Sequence, residues 1–318
     1  MKISALLSDY DGTLCPCSVN PNEDTMPERL NDVLLDISEK IPVCIVSSKD
    51  FGFLHKRIKF ANILSCILGI ETLHLKKHLN AKMMTMQNAE TTTAAATTIT
   101  DCNNFSCIAD HHILIDDRIL QQNSRALDCL ANDILLHFKD VSIDIKYISN
   151  NQILAGITID WRHLQDWESF KKTSEPFLKK AIEKQQKLSF NGNTLYTQTY
   201  ATHPFIDVYA VKCGKGMAFD SIASEISYVK GKGHKIIMYL GDSENDNPAF
   251  KKSDVSIGVL SDDRLNPKLD CEYTVSFDNL AIFLKKLLDN DLVFSDDLLI
   301  DNNNNQIMTF RLPTANQS

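Results

Sequence analysis

The chain has 318 residues, of which 43% are hydrophobic and 23% charged, a balance that excludes intrinsic disorder and a membrane class. It is longer than the roughly 250 residues at which single cores divide, which predicts two domains. A net charge of −8 with scattered basic residues leaves no footprint for nucleic acid, and nine irregularly spaced cysteines argue for a reducing, cytoplasmic setting over a disulfide framework.

In chain order, the apolar run Ile3 to Ser8 predicts a buried strand that stops at Asp9-Tyr10-Asp11-Gly12. It is too short for a signal segment or a membrane span. Thr25 and Pro27 open a helical period at Leu30, Val33, Leu34 and Ile37, and Ile41 to Val46 is a second buried strand ending at Ser47-Ser48-Lys49-Asp50. Strand, helix, strand is the unit of a parallel sheet. The pattern returns with a helix over Gly216 to Lys230, a strand over Lys235 to Leu240, the turn Gly241-Asp242-Ser243-Glu244-Asn245-Asp246, and a strand over Val255 to Val259.

Between these halves the texture changes. Strands are predicted over Val141 to Ile148, Ile153 to Asp160 and Thr194 to Thr199, and helices over Leu120 to Phe138 and Trp167 to Gln186. The expected organisation is an α/β core at 1–72 and 205–300, an α+β insert at 73–204 with a mobile Thr/Ala-rich loop near 88–104, and a disordered tail at 301–318.

Ligands in open α/β sheets bind at the carboxyl ends of strands, and here those ends carry acids, hydroxyls and glycines. Asp9 and Asp11, one residue apart at a strand tip with Gly12 to bend the chain, suit a divalent cation plus a nucleophilic oxygen. Asp242 is placed to share the cation, and Asp246 to orient a metal water or a lysine. Ser47 and the N–H groups after it form an anion nest, and Lys215, between two glycines at a helix start, supplies positive charge. Taken singly, each has an ordinary alternative as a surface turn, a cap or a solvated charge.

Taken in order, Asp9-Tyr10-Asp11-Gly12-Thr13-Leu14, Ser47, Lys215 and Gly241-Asp242-Ser243-Glu244-Asn245-Asp246 resemble the four motifs of haloacid dehalogenase (HAD) superfamily phosphatases. The insert resembles the α+β cap of the subfamily holding trehalose-6-phosphate phosphatases, sucrose-phosphate and mannosyl-3-phosphoglycerate phosphatases, phosphomannomutases and Cof-type hydrolases. The resemblance implies a Rossmann-like three-layer core. It implies Asp9 as nucleophile, Asp11 as general acid and base, Mg2+ held by Asp9, Asp242 and the Asp11 carbonyl, Ser47, Ser48 and Lys215 on the phosphoryl oxygens, and Asp246 with Asn245 in support. Motif two reads Ser47-Ser48-Lys49 where related sugar phosphatases often have Thr-Gly-Arg, and no proline precedes Lys215.

Trp161 and Arg162 end a predicted cap strand and are candidate substrate contacts, although Trp161 fits a core position as readily. Asp110-His111-His112 is a weaker cluster, fitting buried or solvated histidines without spaced partners better than ligands. The expected partner is a small phosphate ester, a sugar phosphate first, acted on by a monomer or homodimer; the alternatives are a phosphomannomutase-like mutase and a non-enzymatic sugar-phosphate sensor.

Overall fold

The structure is a computed structural model that describes residues 1–16, 25–75, 108–114, 116–149, 153–188, 195–200, 203–229, 234–261, 267–299 and 306–310. The expected loop near 88–104 lies outside them.

The chain opens with β1 (Ile3–Ser8), α1 (Glu28–Lys40), β2 (Val43–Val46), α2 (Phe51–Arg57) and β3 (Ile63–Cys66), then turns back through β4 (Glu71–Leu75) and β5 (Ile108–Ile113). The insert follows with α3 (Asp117–His137), β6 (Ser142–Tyr147), β7 (Leu154–Asp160), α4 (Trp167–Leu188), β8 (Tyr196–Thr199) and β9 (Phe205–Tyr209). The chain then runs through α5 (Lys215–Val229), β10 (Ile236–Gly241), α6 (Asn247–Phe250), β11 (Val255–Leu260), β12 (Tyr273–Ser276), α7 (Phe277–Asp289) and β13 (Met308–Phe310).

Nine strands form the core sheet in the order β13-β12-β11-β10-β1-β2-β3-β4-β5. Its centre, β11-β10-β1-β2-β3, is parallel, and these strands are nearly continuous apolar runs because helices cover both faces. On one face Leu6 and Ile45 join Leu30 and Leu34 of α1 and Phe283 and Leu287 of α7. On the other, Ala5, Leu7, Val46 and Tyr239 join Ala218, Phe219 and Ile222 of α5. α1 carries Glu28 in its first turn and Lys40 in its last, both in line with the helix dipole.

The cap is a four-stranded antiparallel sheet, β6-β7-β9-β8. Ile157, Ile159, Ile206 and Val208 alternate toward the core shared with Leu127, Leu130 and Ile134 of α3 and Leu178 and Ile182 of α4. The intervening residues make the opposite face polar, with Asp144, Thr158, Asp207 and Gln198 in register across the four strands. Among the described residues no helix is long and apolar enough to cross a membrane.

The sheets divide the chain differently from the boundaries expected at 72/73 and 204/205. β4 and β5 extend the core sheet, and β9 belongs to the cap sheet. The turn into β4 is built from Ile67, Leu68 and Gly69 with φ of 50°, 56° and 90°, so an apolar run with no polar turn signal reverses the chain. Such angles are unfavourable for Ile and Leu. Bonds from Ile67 N–H to the Lys49 carbonyl (3.0 Å) and from Leu68 N–H to the Ser47 carbonyl (2.9 Å) hold them. Of the tail expected to be disordered over 301–318, residues 306–310 are described, and there β13 pairs antiparallel with β12 and buries Met308.

Candidate active site

The tips of β10, β1 and β2 lie side by side, with the Asp9 N–H bonded to the Leu240 carbonyl at 3.0 Å. Past β1 the chain closes a tight loop in which the N–H groups of Leu14 and Cys15 reach the Tyr10 carbonyl at 2.9 and 3.1 Å. Gly12, at φ 81°, takes the left-handed position. Thr13 donates its hydroxyl to Oδ1 of Asp242 at 3.2 Å, joining the loop after β1 to the loop after β10.

Lys215, the first residue of α5, sends its ammonium to Oδ2 of Asp9 at 2.6 Å and to Oδ1 of Asp246 at 2.7 Å. Asp246 is saturated. Its Oδ1 also accepts from the Tyr239 hydroxyl at 2.7 Å, and its Oδ2 accepts from the N–H groups of Asp242 and Ser243 and the Ser243 hydroxyl at 3.1–3.2 Å. A Cβ on Gly241 would sit 2.4 Å from the Asp246 carboxyl carbon, so only glycine lets Asp246 fold back over this strand end.

One carboxylate oxygen each from Asp9, Asp242 and Asp246 lies within 4.8 Å of the others, all three residues buried. Hard oxygen donors at this spacing suit a divalent cation such as Mg2+. Asp246 is engaged by five donors, Asp9 by Lys215 and Asp242 by the Thr13 hydroxyl. The Asp11 carboxylate stands outside this cluster.

Burial pushes the Asp9 carboxyl well up from its ordinary pKa; the Lys215 ammonium opposes this, while Asp246 and Asp242 reinforce it. Burial alone would lower Lys215, but Asp246, Asp9 and Asp242 outweigh it and hold the ammonium above its ordinary value. Asp11 is raised by burial against the opposing fields of Lys49, Arg162 and Lys215.

Ser47 is buried at the end of β2, its hydroxyl accepting from the Lys49 N–H at 3.2 Å, and Ser48 is half-buried beside it. The strained turn after β3 braces this loop and, through a 3.2 Å bond from Gly214 N–H to the Leu68 carbonyl, the approach to Lys215 as well. Asn245 is half-buried in the short helical turn that ends at Asp246. Arg162 bonds through Nε to Asp160 at 2.6 Å and lies close enough to Asp11 to act on its charge. Trp161 does not face the site. It is fully buried against Phe170 in the cap core, because β7 alternates and its outward neighbours are the polar ones. His111 pairs with Glu71 at 2.8 Å and His112 with Asp110 at 3.0 Å, which accounts for that cluster without a metal.

Sequence reading missed three participants. Tyr239 looked like a plain strand residue, although an inward tyrosine beside buried acids is a signal for a hydroxyl partner. Lys49 and Asp144 pair at 3.1 Å across core and cap, and no local pattern joins residues so far apart.

The family model for haloacid dehalogenase-like hydrolases matches residues 6–265. Several solved structures share the fold at low identity. A trehalose-6-phosphate phosphatase related protein superposes with a TM-score of 0.58 at 17% identity, covering 91% of this chain and 99% of its own. A haloacid dehalogenase-like hydrolase from Bacteroides thetaiotaomicron gives 0.52 at 13%, covering 90% and 100%. Trehalose-6-phosphate phosphatase from Aspergillus fumigatus gives 0.51 at 14%, covering 91% and 94%. No curated protein sequence matches the chain. With the family model spanning most of its length and the motif residues gathered at three strand tips and the start of α5, the chain belongs to the haloacid dehalogenase-like hydrolases.

Proposed function

We propose that the protein is a Mg2+-dependent phosphomonoester hydrolase acting on a small sugar phosphate of the trehalose-6-phosphate kind. The observation that carries this reading is the Asp9 carboxylate held 2.6 Å from Lys215 beside Asp242. Phosphoryl transfer is chiefly positioning and charge neutralisation, and this cluster supplies both.

Asp9 Oδ attacks phosphorus as the ester oxygen leaves, giving an aspartyl-phosphate and splitting one displacement into two. Asp11, whose carboxyl burial pushes up from its ordinary pKa, donates its proton to the departing oxygen. As a carboxylate it then takes a proton from water, which attacks phosphorus, releases phosphate and restores Asp9. Lys215, Ser47 and Ser48 hold the phosphoryl oxygens, while Asp246, with support from Asn245, fixes Lys215. A bound Mg2+, held by Asp9, Asp242 and the Asp11 carbonyl, supplies neutralisation of phosphoryl charge. The cap's polar face, with Arg162 at its edge, is the surface left to read the leaving group.

The fold shared with trehalose-6-phosphate phosphatases places those esters first in the test. A phosphate-release screen over a sugar-phosphate panel, with and without Mg2+, is expected to show metal-dependent release from at least one ester. Isomerisation without net phosphate points to a mutase, and neither reaction points to a sensor.

A further inference from the structure

Edge strands carry unpaired backbone groups and are ordinarily covered or blunted. β6 is an edge of the cap sheet, and the core covers it at three successive points. Lys49 Nζ lies 3.1 Å from Oδ2 of Asp144. The Tyr147 N–H donates to Oδ2 of Asp50 at 3.3 Å, while Oδ1 of the same carboxylate caps α2 through the Phe53 N–H at 2.9 Å. Just past the strand, Ser149 donates to Oε1 of Glu71 through its N–H, at 3.0 Å, and through its hydroxyl.

Glu71 is fully buried, and the same Oε1 faces Nε2 of His111 at 2.8 Å. One oxygen thus gathers the start of β4, the middle of β5 and the cap beyond β6. The second oxygen, Oε2, is buried with no hydrogen-bond partner among the described residues. A carboxylate buried with only one of its two oxygens engaged is incompletely compensated. Lys49 and Asp50, the other two holding points, directly follow Ser47 and Ser48 in the loop assigned to the phosphoryl group.

Resting on the phosphatase reading, we propose that Glu71 is a positioning residue: a clasp that sets edge strand β6, and with it the polar face of the cap, over the loop from Ser47 to Asp50. It touches no reacting atom. It acts through Ser149, fixing where the cap sits when the ester is bound.

Hydrogen exchange on the full chain, wild type against Ser149→Ala and Glu71→Gln, reads the clasp without needing turnover. The expected result is exchange across 142–149 accelerated roughly tenfold in both variants, equivalent to one charge-assisted hydrogen bond, with Leu154–Asp160 and Phe205–Tyr209 unchanged. On the best ester of the panel, KM then rises several-fold while kcat is kept, a split that general loss of structure does not give. Ser149→Ala removes one hydroxyl outside the core, so it carries the test if Glu71→Gln does not fold. Unchanged exchange over 142–149 in Ser149→Ala, or acceleration spread evenly over both sheets, overturns the clasp. Absence of turnover in the wild type instead overturns the phosphatase reading and leaves the exchange result to stand.

Discussion

Nζ of Lys215 stands 2.6 Å from Oδ2 of Asp9, and both groups are buried, so each ionised form depends on the other. The lysine also anchors Asp246, which makes it the counter-charge for a whole acidic cluster.

Lys215→Met therefore leaves buried carboxylates without their cation, at a cost of about 3–5 kcal/mol by urea unfolding at neutral pH. The sign follows from Asp9, whose pKa burial raises. A raised carboxyl contributes stability below its unfolded value and loses it as pH rises through the folded value. The variant's deficit is expected to grow with pH above the ordinary aspartate range and to shrink in acid. Phosphate release is expected to fall at least about 100-fold, as for loss of a transition-state donor.

Gly241→Ala tests the packing that shapes Asp246. The added methyl would sit 2.4 Å from the Asp246 carboxyl carbon, where the end of β10 meets a side chain held by five donors. The expected loss is about 1–3 kcal/mol of stability, the usual cost of overpacking, with a larger fractional loss of activity because Lys215 loses its anchor. Thermal unfolding and initial rates check both.

How far the sequence speaks differs from element to element. The central strands were legible because parallel strands buried on two faces are apolar runs that end abruptly in polar turns, as at Leu7 to Asp11 and Leu240 to Asp242. The Asp9, Ser47 and Asp242 positions come from that punctuation, and Lys215 from the glycines on either side of it at the start of α5. β4 and β5 were not legible as core strands because the preceding turn is made of Ile67 and Leu68 in left-handed conformations that only surrounding hydrogen bonds sustain. β13 has three residues, too few for a period, and β9 shows the same alternation whichever sheet it joins. Trp161, just past β7, lies in the cap core, the position its aromatic side chain fits in the sequence.

Asp11→Asn separates the acid from the nucleophile. Turnover of sugar phosphates, whose alkoxide leaving groups need a proton, is expected to fall about 100-fold or more, while para-nitrophenyl phosphate loses much less. In the wild type, burial raises Asp11, so the protonated acid persists to higher pH than an ordinary aspartic acid. The alkaline fall of kcat/KM on sugar esters is expected above the usual carboxyl range, and it should be absent in the variant.

Chelation with EDTA is expected to abolish phosphate release, and added Mg2+ to restore it. Asp242→Asn keeps an acceptor for the Thr13 hydroxyl but removes the charge, so it should require more metal for half-maximal rate. A metal titration of both proteins checks this.

The most direct measurement is phosphate release by Asp9→Asn beside the wild type, with Mg2+, on para-nitrophenyl phosphate and on the best ester of the panel. The account predicts no release above background from a folded variant whose thermal unfolding matches a wild-type-like core. Release at the wild-type rate by Asp9→Asn would contradict the assignment of Asp9 as the attacking group.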